Sequence, residues 1–300
     1  MSDTLDLRRP PKYTIAQRIG GLLRVTHAVP VAIYMLLMVV LAPLAALSSH
    51  RSLTAEVVIR LVLAMGCAQA AIGILNDYCD RALDAASKPN KPLVRGTVQP
   101  REALALAAIL PLLAILAALP FGLAAVLILC GVMALGFAYD LRFKGTPISA
   151  LLFAVHFPLL PLFVWAAVGA WQPFLPWILP VGAAVGIAMN VANSLPDLPE
   201  DVAAGVRGLP HVLGVRRGLA LVWGIPLALS ALIWLLHLTR LVPGLPLWLL
   251  LATLVAVLFT GVTILLYRRA PTPATLKVNF YMQAFGTLIF IACWLVAVIA

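Results

Sequence analysis

The sequence predicts an all-α integral membrane protein with about nine transmembrane helices, and three observations predict it. Of the 300 residues, 63% are hydrophobic and 11% are charged, against roughly 25% charged in an ordinary soluble chain. Mean hydropathy is +1.05. The apolar runs are long enough for the ~20 residues that a helix needs to cross a hydrocarbon core ~30 Å thick. The basic residues between those runs fall almost entirely on alternate connections.

Read against charged or Pro/Gly-rich breaks, the runs fall at roughly 27–47, 54–75, 102–119, 121–138, 148–169, 174–194, 218–238, 246–267 and 277–299. Spans three and four are parted only by Leu119-Pro120-Phe121, so a tight hairpin is needed there. This divides the chain into a polar N-terminal segment, 1–26, and one transmembrane domain, 27–300, whose acidic loops lie at 76–100 and 193–216. The N-terminal segment carries Arg8, Arg9, Lys12, Arg18 and Arg24 and precedes a run of spanning length, which is not the pattern of a cleavable signal peptide. Cys67, Cys79, Cys130 and Cys293 are scattered, with neither metal-ligand spacing nor a disulfide framework.

Charge tests the helix count. The N-terminus and the loops after spans two, four, six and eight hold 18 of the 21 Lys and Arg residues, and only Arg51, Arg60 and Arg240 lie on the other side. One missed span would invert every later loop and destroy that asymmetry. The positive-inside rule makes the N-terminus cytoplasmic and the C-terminus external. The rule also accounts for the net charge of +10 without nucleic acid. It says nothing about acids, yet ten of the eleven carboxylates, all but Glu56, share the cytoplasmic side.

Two acidic loops carry that excess. In the first, Asn76, Asp80 and Asp84 recur at i, i+4 and i+8, with Asp77 three residues before Asp80. If the second span continues through the loop, these side chains share a helix face. In the second, Asn193, Asp197 and Asp201 repeat the spacing, with Pro196 and Pro199 forcing a kink or break. Carboxylates so crowded repel one another unless a cation lies between them, and all-oxygen ligands select a hard ion such as Mg²⁺. The echo between the loops suggests two related four-helix halves plus one helix. Lys88 and Lys91 after the first loop, and Arg142 and Lys144 after span four, supply cations suited to phosphate oxygens.

Asn76-Asp77-x-x-Asp80-x-x-x-Asp84 followed by Lys88-Pro89-x-Lys91-Pro92-Leu93-x-x-Gly96 resembles the first signature of the UbiA superfamily of intramembrane prenyltransferases. Asp197-x-x-Glu200-Asp201 followed by Gly205-x-Arg207-Gly208-Leu209-Pro210 resembles its second, and Tyr139–Lys144 its short basic loop. Lys91 replaces the family's usual Arg, exchanging a bidentate fork for a point charge, and Ser194 stands where many members have an acid. The resemblance implies a helical bundle around a central cavity open to lipid. A long isoprenoid diphosphate would lie in it, bound through Mg²⁺ held by Asn76, Asp80, Asp84, Asp197 and Asp201. Lys88, Lys91, Arg142, Lys144, Asn193 and Arg24 would contact the diphosphate.

The reaction so implied is ionisation of the allylic C–O bond and capture of the prenyl group by a lipophilic or aromatic acceptor, water being excluded. Asp77 or a neighbouring carboxylate would take the acceptor's proton. Intramembrane polar and aromatic residues, His156, Trp165, Asn190 and Tyr281 among them, are candidates for the cavity wall. Two rivals remain at this stage: a terpene cyclase of the same fold, and a lipid-binding or transport protein. The acids crowd one membrane face and not the midplane, which disfavours ion transport. Acceptor, prenyl length and oligomeric state stay open.

Overall fold

The computed structural model describes residues 13–203, 205 and 207–300. Arg8, Arg9 and Lys12 therefore lie outside the described residues. The described chain opens with α1 (Ile15–Val25), whose end is sealed reciprocally: Thr14 Oγ1 accepts the Gln17 amide at 3.2 Å, and Gln17 Oε1 accepts the Thr14 amide at 2.9 Å. Then come α2 (Ala28–Ser48), α3 (Ala55–Ser87), the single turn α4 (Pro92–Arg95), α5 (Pro100–Ala118), α6 (Leu123–Ala138), α7 (Ile148–Val168) and α8 (Leu175–Ser194). The short α9 (Leu198–Ala203) precedes α10 (Leu209–Leu238), α11 (Pro246–Arg269) and α12 (Pro273–Ile299). Among the described residues nine helices are long and apolar enough to cross a membrane.

Their bounds depart from the apolar runs where charge enters a helix. α3 runs on past residue 75 through all four acidic-motif residues, because nothing in Asn76–Ser87 breaks a helix and its backbone bonds are made within the segment. α10 starts nine residues before the expected 218, since His211, Arg216 and Arg217 end the apolar run without ending the helix. Gly214, at φ 67° and ψ 174°, interrupts that early part. Leu119–Phe121 is a single 3₁₀ turn, the hairpin that the short gap requires.

Lipid tails are as apolar as leucine, so helices in a bilayer associate through close packing and favour small residues at contacts. α8 meets α7 in this way: a β-carbon on Gly186 would lie 2.2 Å from the Phe153 carbonyl oxygen, and one on Gly182 would lie 2.7 Å from Pro158 Cα. Gly186→Ala is therefore expected to destabilise the protein by about 1–3 kcal/mol through overpacking. Gly224→Ala in α10, where a β-carbon meets nothing within 4 Å, is expected to be neutral. Thermal unfolding of the two variants in one detergent checks the contrast.

A cavity of about 960 Å³ lies between α2, α3, α6, α7, α8 and α12, at the upper end of ligand-pocket sizes of roughly 300–1,000 Å³. It follows α12 from Lys277 to Leu295, about 27 Å at 1.5 Å per residue. Its wall is apolar over most of that length, with Leu41, Leu160, Val181, Leu288 and Trp294 at depth.

Candidate active site

One end of the cavity collects the charged side chains. α3 delivers Asn76, Asp80 and Asp84 to the wall from successive turns of one face, and Asp77 faces away and is 3% exposed. Across the mouth, α8 ends at Ser194, a 3₁₀ turn covers Leu195–Asp197 and α9 follows, so the break falls at the two prolines. Asn193, Asp197, Glu200 and Asp201 all reach the wall from this broken segment. A π-helical turn, Tyr139–Phe143, ends α6 and turns Asp140 inward, and such turns often mark functional sites. The second acidic loop is tied to the basic loop after α6 by the Arg207 amide, which donates to the Gly145 carbonyl at 2.8 Å.

Three lysines pair with the carboxylates. Lys91 Nζ donates to Asp77 Oδ1 and to Asp84 Oδ2, both at 2.7 Å. Lys88 Nζ meets Asp197 Oδ2 at 2.8 Å, joining the first motif's loop to the second motif. Lys144 Nζ donates to Asp80. Burial alone would lower the Lys91 pKa, but hydrogen bonds and attraction from Asp77 and Asp84 outweigh it and hold the ammonium above the ordinary lysine value.

Other partners set orientation. Asn76 Nδ2 donates to Asp140 Oδ1 at 2.8 Å, so the carboxamide shows its carbonyl oxygen to the cavity; the second Asp140 oxygen has no partner. His211 Nδ1 accepts the Gly208 amide at 3.0 Å, which leaves the ring proton on Nε2, 3.5 Å from Asp201 Oδ2. His27, between α1 and α2, contacts Asp77 Oδ1 through Nε2 at 3.0 Å. Sequence reasoning singled out none of these three partners. Asp140 was visible as an acid beside a basic loop, whereas the two histidines have no motif spacing.

Among the described residues no trio of His, Cys, Asp or Glu side chains converges as a ready-made metal cage. The lysines stand between the acids instead. The donor set nevertheless fits Mg²⁺, which takes one or two carboxylates plus substrate phosphate oxygens and keeps several waters. The Asn76 carbonyl oxygen and the Asp80, Asp197 and Asp201 carboxylates offer only hard oxygen donors, on two sides of one mouth.

Besides Asp77, four expected site residues lie elsewhere. Trp165 is fully buried outside the cavity, its indole donating to Ser48 Oγ at 3.3 Å and its ring edge-on to Phe174. Asn190 is 1% exposed and does not reach the wall. Arg142 is exposed and absent from the cavity wall. Arg24 reaches the Asn90 carbonyl at 3.3 Å, bracing the loop that carries Lys88 and Lys91. His156 and Tyr281 do line the cavity. His156 Nε2 lies 3.5 Å from the Gln69 amide nitrogen, and Gln69 sits seven residues, about 10 Å, beneath Asn76 on α3.

Among the described residues, nine helices of spanning length surround a deep apolar chamber with two acidic motifs and their lysines at one end. A profile of the UbiA prenyltransferase family matches residues 35–298, and the chain belongs to that family. It is 34% identical over 174 residues to the digeranylgeranylglyceryl phosphate synthase of Natronomonas pharaonis, a match covering 58% of this chain and 61% of that one. The namesake from Pyrococcus abyssi is 28% identical over 162 residues, 52% of this chain and 56% of that one. The chain thus spans less than two thirds of the length of these curated relatives. Among solved structures, a UbiA homolog from Aeropyrum pernix K1 superposes with a TM-score of 0.68 at 20% identity, covering 87% of this chain and 95% of that one. A UbiA homolog from Archaeoglobus fulgidus, bound to GPP and Mg²⁺, gives 0.64 at 17% identity, covering 91% and 99%. At these identities the structures establish the fold.

Proposed function

We propose that the protein transfers a prenyl group from an isoprenoid diphosphate to a hydroxyl of a glyceryl phosphate lipid, inside the membrane and with release of diphosphate. One observation carries the reading: two lysine-paired acidic motifs face each other across the mouth of an otherwise apolar cavity about 960 Å³ in volume. The acceptor class follows the relatives. The name digeranylgeranylglyceryl phosphate describes a product with two prenyl groups, so the last step sets the second on a monoprenylated glyceryl phosphate.

When bound, Mg²⁺ would supply positive charge to the leaving group. Asn76, Asp80, Asp197 and Asp201 are the residues that would hold it. When an anionic head enters, Lys88 and Lys144 exchange their carboxylate partners for phosphate oxygens, where they stabilise charge developing on the departing group. The apolar wall below excludes water from the allylic carbon and orders the chain. The excess of basic residues on alternate connections supports a cytoplasmic N-terminus and mouth, with the C-terminus on the opposite side.

Purified protein with geranylgeranyl diphosphate and Mg²⁺ is expected to release diphosphate when monogeranylgeranylglyceryl phosphate is added, and to stop on chelation. Product mass decides between rivals. An ether of donor and acceptor supports the proposal, an acceptor-independent cyclic hydrocarbon supports a cyclase, and no diphosphate release under any condition supports a carrier.

A further inference from the structure

Capture by a hydroxyl requires a group to take its proton, and Asp77 is not placed to do so. It is 3% exposed, absent from the cavity wall, and engaged by both His27 and Lys91. His27 is on the wall. It sits in the turn between α1 and α2 at φ 54° and ψ 52°, a left-handed conformation found for only a few per cent of non-glycine residues. Such outliers persist where surroundings over-determine them, and they cluster at functional sites.

The surroundings here are specific. The ring lies against Gly73 of α3, where a β-carbon would come within 3.2 Å of the imidazole Cδ2. Nε2 is 3.0 Å from Asp77 Oδ1, an oxygen that also accepts from Lys91 Nζ at 2.7 Å. An ionised carboxylate only accepts, so the imidazole donates through Nε2–H. Nδ1 has no partner among the described residues. Asp77 is one residue from Asn76 and three from Asp80. The ring is therefore level with the diphosphate-binding end, above the chamber that takes the chain.

We propose that His27 is the catalytic base, receiving the acceptor's proton on Nδ1, with Asp77 as its positioning residue; this rests on the prenyl-transfer reading above. The C1–O bond of the allylic diphosphate breaks and its electron pair stays with the diphosphate. The acceptor oxygen bonds to C1, its O–H bond breaks, and the proton passes to Nδ1. Asp77 then faces an imidazolium, which returns the proton to water at the mouth. This is the base-plus-orienter arrangement used for nucleophile activation elsewhere.

The test separates ionisation from capture in full-length protein in nanodiscs. Geranylgeranyl diphosphate carrying ¹⁸O at the bridging position is incubated with Mg²⁺, and movement of the label to a non-bridging position reports C–O cleavage without any base. Capture is read as ether formed with monogeranylgeranylglyceryl phosphate and as geranylgeraniol formed with water. His27→Gln and His27→Gly are expected to scramble the label at nearly the wild-type rate and to lose capture by roughly 100-fold or more, the size of a general-base contribution. Glycine suits the left-handed turn, so His27→Gly guards against a folding failure. Added 4-methylimidazole is expected to restore capture to it. Asp77→Asn is expected to lose capture in the same direction with scrambling retained. Scrambling and capture falling together would make His27 a diphosphate contact or a structural residue and overturn the proposal, as would unchanged capture. A wild type that neither scrambles nor captures refutes the prenyl-transfer reading itself. One that scrambles and forms only the alcohol refutes the acceptor class, and the water arm still decides on His27.

Discussion

Asp80→Ala and Asp201→Ala are each expected to reduce Mg²⁺-dependent diphosphate release by about 100-fold or more, the scale seen when charge stabilisation at a reacting centre is lost. Both side chains are on the cavity wall, from opposite motifs, and both are partly open to it, at 18% and 24% exposure. Neither supports the bundle from within, so the variants are expected to fold and insert normally. Asp80→Ala also releases Lys144 from its carboxylate partner. The extra cation cannot replace a metal ligand, and affinity for Mg²⁺ falls with the rate. Glu56→Ala is the contrast: Glu56 lies at the start of α3, 69% exposed and, among the described residues, paired only with Arg60 four residues on, and its loss is expected to be silent. Diphosphate release measured across a Mg²⁺ titration checks all three. Full activity at saturating Mg²⁺ in both aspartate variants would remove the two-motif site.

The helix period explains how much of this site was legible. In a helix, i, i+4 and i+8 stay within one face, so Asn76, Asp80 and Asp84 were readable as a set once α3 ran on through them. Asp77 was grouped with them because it precedes Asp80 by three. It is also one residue, about 100° of rotation, from Asn76, and the structure turns it toward α1 and α2. Spacing cannot choose between those two relations; a neighbouring helix does. His27 was hidden for a related reason, since it opened an apolar run and its role depends on a left-handed turn that no composition marks.

Depth in the bilayer was readable from hydropathy, but rotation about each helix axis was not. Helix α7 is apolar on every side, so nothing in its sequence says which face meets the cavity and which meets α8. His156 and Trp165, nine residues apart on that helix, looked equivalent as polar or aromatic intruders. One lines the chamber and the other packs beside Phe174. Asn190 on α8 fails in the same way: three residues from Asn193, it points into the bundle. Lys91 was read as a phosphate contact from a motif that usually holds arginine there. A single ammonium fits between two carboxylates more readily than a planar fork does, and that is where the structure puts it.

Lys91→Met is expected to cause the largest loss of stability among site variants, on the order of 3–5 kcal/mol, the usual cost of removing one partner from a buried charge cluster. Lys91 is 23% exposed, whereas its partners Asp77 and Asp84 are only 3% and 4% exposed. Removing the ammonium leaves two buried carboxylates seven residues apart on α3, with His27 as the remaining contact of one of them. Lys91→Arg keeps the charge and is expected to recover part of the loss. Converting the partners too, as Lys91→Met with Asp77→Asn and Asp84→Asn, is expected to recover more, because neutral amides bear burial better than unpaired ions. The pH dependence follows from the raised Lys91 pKa. A lysine whose folded pKa lies above its unfolded value, near about 10.4, contributes fully below that value and loses the contribution only as pH rises through the folded pKa. The difference in melting temperature between wild type and Lys91→Met is thus expected to be flat from about pH 7 to pH 9 and to shrink only in stronger alkali. A difference that vanished near neutral pH would show that Lys91 is not the charge that neutralises Asp77 and Asp84. The triple variant then separates scaffold from chemistry: restored melting without restored diphosphate release would assign the cluster to both.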